Sequence, residues 1–381
     1  MSETTVIHSA LAVSGGTIVA DAWLRFDGPV IADAGAGGSW RDEPAARVVD
    51  AGGAILTPGF IDLHGHGGGG AAFDDGPEGI GRALAVHRAA GTTRSVISLV
   101  TASPARLADS LAGIARLADA DPLVLGVHLE GPFLAPEFKG AHDPALLAAP
   151  EPAVADALVD AAAGTLRQIT LAPELPGAAD AIGRFTDAGV RVAVGHTAAG
   201  FDEALAAFDA GASILTHAFN GMRGIHHRAP GPVLAAMHAD HVTLEVIADG
   251  IHLHPDVVRL AFAGAPGRIA LITDAMAAAG ASDGEYLLGG LEVRVDAGVA
   301  RLADGTIAGS TLTQDQALRF AVEVAGIELP EAVRALTETP AAAIGRARDL
   351  GRLEAGYAAD AVLLDDALEV RAVWAAGERL R

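Results

Sequence analysis

The chain has no cysteine among its 381 residues, which removes disulfide staples, thiolate metal sites and a cysteine nucleophile together. Any bound metal must rest on histidine, aspartate or glutamate. Basic clusters with interleaved aromatics are also missing, and a formal net charge of −22 repels the phosphate backbone of nucleic acids. That global charge does not prevent a local pocket from holding one small anion. Apolar residues reach 51%, but they are dispersed, and no run approaches the roughly 20 needed to cross a bilayer. The first residues, "MSETTVIHSALAVSGG", carry no basic n-region and no small-residue cleavage site. The expectation is a soluble, cytoplasmic protein without membrane or nucleic-acid partners.

What is present is a repeated alternation. Eight short β-rich runs recur from about residue 54: "ILTPGFIDLH", "TTRSVISLV", "LVLGVHLEGP", "LRQITLAPE", "RVAVGHT", "SILTHAFN", "VTLEVIADG" and "IALITDA". Ala-rich segments of helical spacing separate most of them, several stopping at a glycine (Gly91, Gly164, Gly189, Gly211) suited to a left-handed C′ position. Strand after helix after strand means a parallel sheet, and eight such units predict an α/β fold of the (β/α)8 TIM-like barrel type. A doubly wound sheet would carry a phosphate fingerprint after its first strand. The motif "HGHGGGG" is not G-x-G-x-x-G, and no P-loop pattern occurs. The four glycines read either as a flexible loop or as a way to bring substrate close to the backbone.

Both chain ends read as short strands and turns, and neither has enough of them to bury a core alone. They are expected to pair into one small β-sandwich domain. The predicted organisation is thus 1–53 and 346–381 in the small domain, with 54–345 forming the barrel. The segment Glu285–Gly305 reads as hairpins inserted after the eighth strand, with turns at "GG" and "DAG".

Active sites of such barrels lie at the carboxyl ends of the strands. Polar residues ending the apolar runs are His64 and His66, Glu130, His196, His217 and Asp274. On a strand His64 and His66 would share a face. All six are metal-ligand types, and four imidazoles with two carboxylates suit zinc or another first-row divalent ion rather than calcium or magnesium. A carbamylated lysine often bridges two ions in such barrels. Here the single lysine, Lys139, lies in a loop beyond the third strand, so Glu130 should bridge instead. His128, two residues before Glu130, should line the barrel interior, whereas His87 reads as structural and Asp74 and Asp75 as a solvated loop.

The motifs "LEGPF", "KGAH", "GHT", "THAFNGM", "ADGIH", "TDAM" and "AGSTLT", in this order, resemble the N-acetylglucosamine-6-phosphate deacetylases of the amidohydrolase superfamily along nearly the whole chain. The resemblance implies that Glu130, His196 and His217 hold the main ion and that Asp274 is the catalytic acid and base. His64 and His66 allow a second ion, with Asp274 near it. The metal implied is zinc, one or two ions per subunit, with Fe2+, Co2+ or Mn2+ as alternatives. For the phosphosugar, the resemblance points to Ala141 and His142, Asn220 and Gly221, Arg228, Asp249 and His252, and Ile307, Ala308 and Gly309. In the family the arginine comes from the neighbouring subunit, which implies a homodimer.

The expected reaction is hydrolysis of the acetamide of N-acetylglucosamine 6-phosphate to glucosamine 6-phosphate and acetate, with His142 helping to stabilise the oxyanion. Two other readings stand beside it. One is another amidohydrolase, acting on N-acetylgalactosamine 6-phosphate or a cyclic amide. The other is a catalytically silent metal-binding barrel.

Overall fold

The computed structural model describes residues 4–381. Each of the eight β-rich runs contributes one strand to a single parallel sheet, whose strands neighbour one another in chain order: Phe60–Asp62, Thr92–Val100, Val124–Glu130, Leu166–Leu171, Arg191–Val194, Ile214–Leu215, Thr243–Ile247 and Ile269–Ile272. Every residue of Thr92–Val100 and of Val124–Glu130 is buried, as strands covered on both faces must be. Beyond the last and first strands the seam is held by backbone bonds, with Asp274 N donating to His64 O at 2.8 Å and His66 N to Ala275 O at 2.7 Å. The Asp62 carboxylate reinforces it by accepting from Thr273 Oγ1 at 2.6 Å. The result is a (β/α)8-type barrel.

Helices Gly76–Ala89, Pro104–Ala120, Pro152–Ala161, Ala178–Asp187, Phe201–Asp209, Gly231–His238 and Pro255–Gly264 fill the connections. Three of the four expected stops behave as read, with Gly91, Gly189 and Gly211 at positive φ one residue beyond the cap. After Pro152–Ala161 it is Ala163 that enters the left-handed region first, with Gly164 following. No helix among the described residues is long and apolar enough to cross a membrane.

The run read as the first barrel strand divides at Gly59. Ile55–Pro58 pairs antiparallel with Ala361–Leu364, and only Phe60–Asp62 enters the barrel. At the junction a Cβ on Gly59 would collide with the Thr93 side chain, so the chain crosses there only because the residue has none. The two chain ends form one eight-stranded sheet that curls until the hairpin at Gly28 abuts the turn at Gly377. It encloses its own core of Ile7, Phe26, Ile31, Leu56 and Trp374. The predicted insertion is a three-stranded antiparallel sheet, Gly284–Leu288, Leu291–Asp296 and Val299–Arg301. It turns at Gly289–Gly290 and Ala297–Gly298, all at positive φ.

One buried ion pair ties the end sheet to the barrel. Arg94, on the second barrel strand, donates from Nε to Asp360 Oδ2 at 2.6 Å and from Nη2 to Oδ1 at 3.1 Å, both side chains being under one-tenth exposed. Asp360 also accepts from Ala376 N at 2.7 Å. Removing one partner strands a buried charge, at a cost of about 3–5 kcal/mol. Asp360→Ala is therefore expected to lower the guanidinium midpoint sharply, while the double change Arg94→Met with Asp360→Leu recovers most of the loss.

Candidate metal centre

Four of the site residues share a local device. His64, His196, His217 and Asp274 each stand two positions beyond the last residue of a barrel strand, and the latter three have φ of 47°, 25° and 48°. A left-handed residue just past a strand turns the chain sharply, and the side chains meet over the barrel mouth. Glu130 is itself the end of the third strand. Gly140, at φ 54°, packs where a Cβ would lie 3.0 Å from the His196 ring, so the loop after that strand can close over the imidazole.

The donor atoms converge in two lobes. In one, His196 Nε2 and His217 Nε2 lie 3.0 Å apart, each 3.0 Å from Glu130 Oε1. In the other, His64 Nε2 and His66 Nε2 lie 3.1 Å apart, and His66 Nε2 is 3.1 Å from Glu130 Oε2 and 3.2 Å from Asp274 Oδ1. Glu130 thus sets Oε1 against the first pair and Oε2 against His66, while His64 Nε2 lies 3.5 Å from Oε1, so the carboxylate stands between the two lobes. Lys139 takes no part, its Nζ donating to Gly140 O and His142 O.

The tautomers follow from the outer partners. Nδ1 of His196 donates to Phe138 O at 2.7 Å, that of His217 to Asn220 O at 3.1 Å and that of His64 to Glu245 Oε2 at 3.1 Å. Their Nε2 lone pairs therefore face one another and the carboxylates, an arrangement that repels itself unless a cation stands between. Donors about 2 Å from a tetrahedral ion lie about 3.3 Å apart, within a few tenths of an ångström of the spacings here. All six residues are buried, and two sets of side chains here lie close enough to hold a metal ion: His64, His66, Glu130 and Asp274, and Glu130 with His196 and His142.

Burial opposes ionisation of Glu130, but His64, His142, His196 and His217 outweigh it and hold the carboxyl well below its usual range. The same contest, won by His64 and His66, brings Asp274 down to about 2. Burial pushes His142 down to about 4 despite Glu130 beside it. It is a neutral ring whose Nδ1 accepts from Thr101 N at 3.4 Å, which leaves an Nε2–H facing Glu130 Oε2 at 3.5 Å.

A cavity of about 250 Å³ opens over the cluster, lined by Ala141, His142, Asn220, Gly221, His252, Ile307 and Gly309 among the expected substrate residues. Asp249 stands behind the lining, its Oδ2 2.7 Å from His252 Nδ1. Burial works against a charge on His252, yet Asp249 prevails and raises its pKa. Ala308 is fully buried beneath its neighbours. Arg228 is not in this cavity. It lies on an exposed loop, its Nη1 2.7 Å from His227 Nε2. Val100 and Leu288, which give the cavity an apolar wall, were not foreseen. Leu288 arrives on the inserted sheet and packs in one cluster with Val100, a contact between distant segments.

Among the other expectations, His128 does line the interior, fully buried between Ser98 Oγ at 2.9 Å and Thr170 Oγ1 at 2.8 Å. His87 bonds Gly67 O at 2.9 Å. Asp75 is solvated, but Asp74 is only partly exposed and has a buried, unpartnered Oδ2, and burial pushes its carboxyl up. The hydrophobic Phe73 beside it anchors that loop in the core. Glu245 and Gln168 also escaped the sequence reading, although a glutamate in the middle of "VTLEVI" contradicts the apolar pattern and signals a buried partner.

This fold and donor set define a class. The sequence profile of the amidohydrolase family matches residues 55–380, and the chain belongs to that family. Over 331 residues it is 43% identical to the N-acetylgalactosamine-6-phosphate deacetylase of Escherichia coli O157:H7, covering 85% of this chain and 87% of that protein. It is 36% identical to the N-acetylglucosamine-6-phosphate deacetylase of Bos taurus, covering 98% and 91%. Among solved structures, a mutant N-acetyl-D-glucosamine-6-phosphate deacetylase from Mycobacterium smegmatis, in complex with N-acetyl-D-glucosamine 6-phosphate, superposes with a TM-score of 0.94 at 43% identity over 99% of both chains.

Ion and proton compete for this cluster. In the metal-free protein burial disfavours a charge on His66, but hydrogen bonds to Asp274 and Glu130 raise it from 6.5 to about 9. Besides a proton from His64, whose charge Glu130 and Asp274 favour against its burial, loading a divalent ion at pH 7.5 should release about one proton per subunit from the His66 ring, read as the buffer dependence of the calorimetric heat. The sign also sets stability: this proton's contribution to the metal-free fold is complete below pH 6.5 and lost as pH rises through about 9.

Proposed function

We propose that the protein hydrolyses the acetamide of N-acetylglucosamine 6-phosphate, releasing acetate and glucosamine 6-phosphate. The observation that carries this reading is Glu130 between the two histidine pairs, with Oε1 on His196 and His217 and Oε2 on His66, and Asp274 beside the second pair at the edge of the cavity. The names of relatives at 36–43% identity over most of the chain support the substrate.

Histidine nitrogens with carboxylate oxygens and no thiolate suit zinc, one or two ions per subunit, with Fe2+, Co2+ and Mn2+ as alternatives. Glu130, His196 and His217 would hold the first ion, and His64, His66, Glu130 and Asp274 the second. Such an ion lowers the pKa of water from about 16 to roughly 7 and polarises a carbonyl.

The chain's own groups supply the rest. Asp274, ionised throughout the neutral range, accepts the proton of the attacking water and delivers it to the departing amine. Neutral His142 can donate from Nε2 to the carbonyl oxygen as negative charge develops there. His252, its charge favoured by Asp249, and the Asn220–Gly221 and Ile307–Gly309 backbone orient the sugar phosphate. A phosphorylated sugar does not cross a bilayer unaided, so this reading implies a cytoplasmic enzyme.

Arg228 projects from an exposed loop, and we assign it to the phosphate in the neighbouring active site of a homodimer. The similarity to an N-acetylgalactosamine-6-phosphate deacetylase favours acceptance of the 4-epimer as a second substrate.

Acetate release from the glucosamine derivative is expected from the metal-loaded protein and should be abolished in Asp274→Asn. Silence of the wild type on both epimers would refute the reading. Arg228→Ala should raise KM for the phosphosugar by about 10- to 100-fold, in line with one lost charge-assisted bond of about 1.5–3 kcal/mol. It should leave the weak turnover of the unphosphorylated sugar unchanged. Mixing subunits of the two variants should restore roughly a quarter of wild-type sites, since each mixed two-fold dimer rebuilds one. No recovery on mixing would place Arg228 in its own subunit's site.

A further inference from the structure

Glu245 sits in the middle of the seventh barrel strand, Thr243–Ile247, with no exposure at all. A carboxylate at such a depth is costly unless each oxygen has a donor. Here Oε1 accepts from Gln168 Nε2 at 2.7 Å. Oε2 accepts from His64 Nδ1 at 3.1 Å and, more weakly, from His217 N at 3.4 Å. Gln168, on the fourth strand, is equally buried. The pair therefore forms a strut across the barrel interior, ending on one ring of the upper cluster.

That ring is singular. His196 and His217 rest their Nδ1 on backbone carbonyls, and His66 Nδ1 has no partner. Only His64 has a carboxylate behind it. A backbone carbonyl fixes a tautomer. A carboxylate also makes the opposite nitrogen a stronger donor and adds negative charge behind the ring, the arrangement found where histidines bind metals. The lobe that receives this support is the one built from the first strand, with one neighbouring ring unsupported.

We propose that Glu245 is a positioning residue that makes the His64–His66 lobe able to hold an ion, and thereby sets whether the centre takes one ion or two. This rests on the metal-hydrolase reading above. It differs from a purely structural role for the strut, which would lower the stability of the metal-free protein without changing its ion count.

The test uses the full chain, stripped with chelator and reloaded with zinc, with metal-to-subunit ratios measured after dialysis and affinities by competition with a chromophoric chelator. Cobalt loading gives absorption bands for each lobe. Wild type is expected to take two ions. Glu245→Gln, nearly the same shape, should keep the His196–His217 ion and bind the second about 10- to 100-fold more weakly, with the corresponding cobalt bands diminished. In a His64→Asn background, where the supported ring is already gone, adding Glu245→Gln should weaken that second ion little further. Gln168→Leu, which leaves the carboxylate but removes one support, should shift the same affinity in the same direction by less, and it decides the matter if Glu245→Gln does not fold. Two ions bound with wild-type affinities in both variants would overturn the proposal, as would a single ion in wild type. No ion in wild type would instead overturn the metal-hydrolase reading itself.

Discussion

The constraint on which this structure turns is the crowding of unshared electron pairs around Glu130. Two histidine pairs point their Nε2 atoms at one carboxylate, with separations of 3.0–3.1 Å within each pair. In a metal-free protein such a cluster survives only by gathering protons, which go to His64 and His66, both raised, while Glu130 and Asp274 stay ionised beside them. The barrel must hold these groups against their mutual repulsion, and that requirement explains the polar layer beneath them. Asp62 with Thr273, His128 between Ser98 and Thr170, and Glu245 with Gln168 are all buried and bonded to one another or to the ligands. An apolar interior would pack as well, but it would leave the rings free to turn away.

The parts of this arrangement visible in the sequence are those with a positional rule behind them. Parallel barrels end their strands on one face, so His196, His217 and Asp274 could be picked out as the first ionisable residues after apolar runs, and Glu130 as the one that lies where a lysine bridge is missing. The eight strands were legible for the same reason, since a buried parallel strand is apolar without alternation. The division of "ILTPGFIDLH" was not. Its two halves are equally apolar, and what separates them is the fit of Gly59 against Thr93 and the antiparallel pairing with residues 361–364, a contact some 300 residues away in the chain.

The misses have a common cause. Leu288 and Val100 meet through the inserted sheet, Asp74 is half-buried on a loop that Phe73 anchors in the core, and Glu245 finds its partners across the barrel. Local patterns report which face a residue prefers, whereas these roles depend on what the other side of the fold places opposite. Glu245 alone left a mark in the sequence, since a charge inside a fully apolar strand violates the pattern that made the strand recognisable.

The left-handed backbone at three of the ligands adds a cost that the fold must carry. Residues without glycine's freedom are strained at positive φ, by about 1–3 kcal/mol each, and His196, His217 and Asp274 all accept it. Glycine would remove the strain but also the ligand. Extended backbone would remove it too, but would run the chain on along the barrel axis and carry the imidazoles apart. The positions are held from behind: His217 N and Ala218 N both donate to Glu245, one to its carboxylate and one to its main-chain oxygen, while Asp274 N is fixed to His64 O across the seam. The same glutamate that supports the His64 ring thus also clamps the strained turn after the sixth strand, so the geometry of one lobe is coupled through the seventh strand to that of the other.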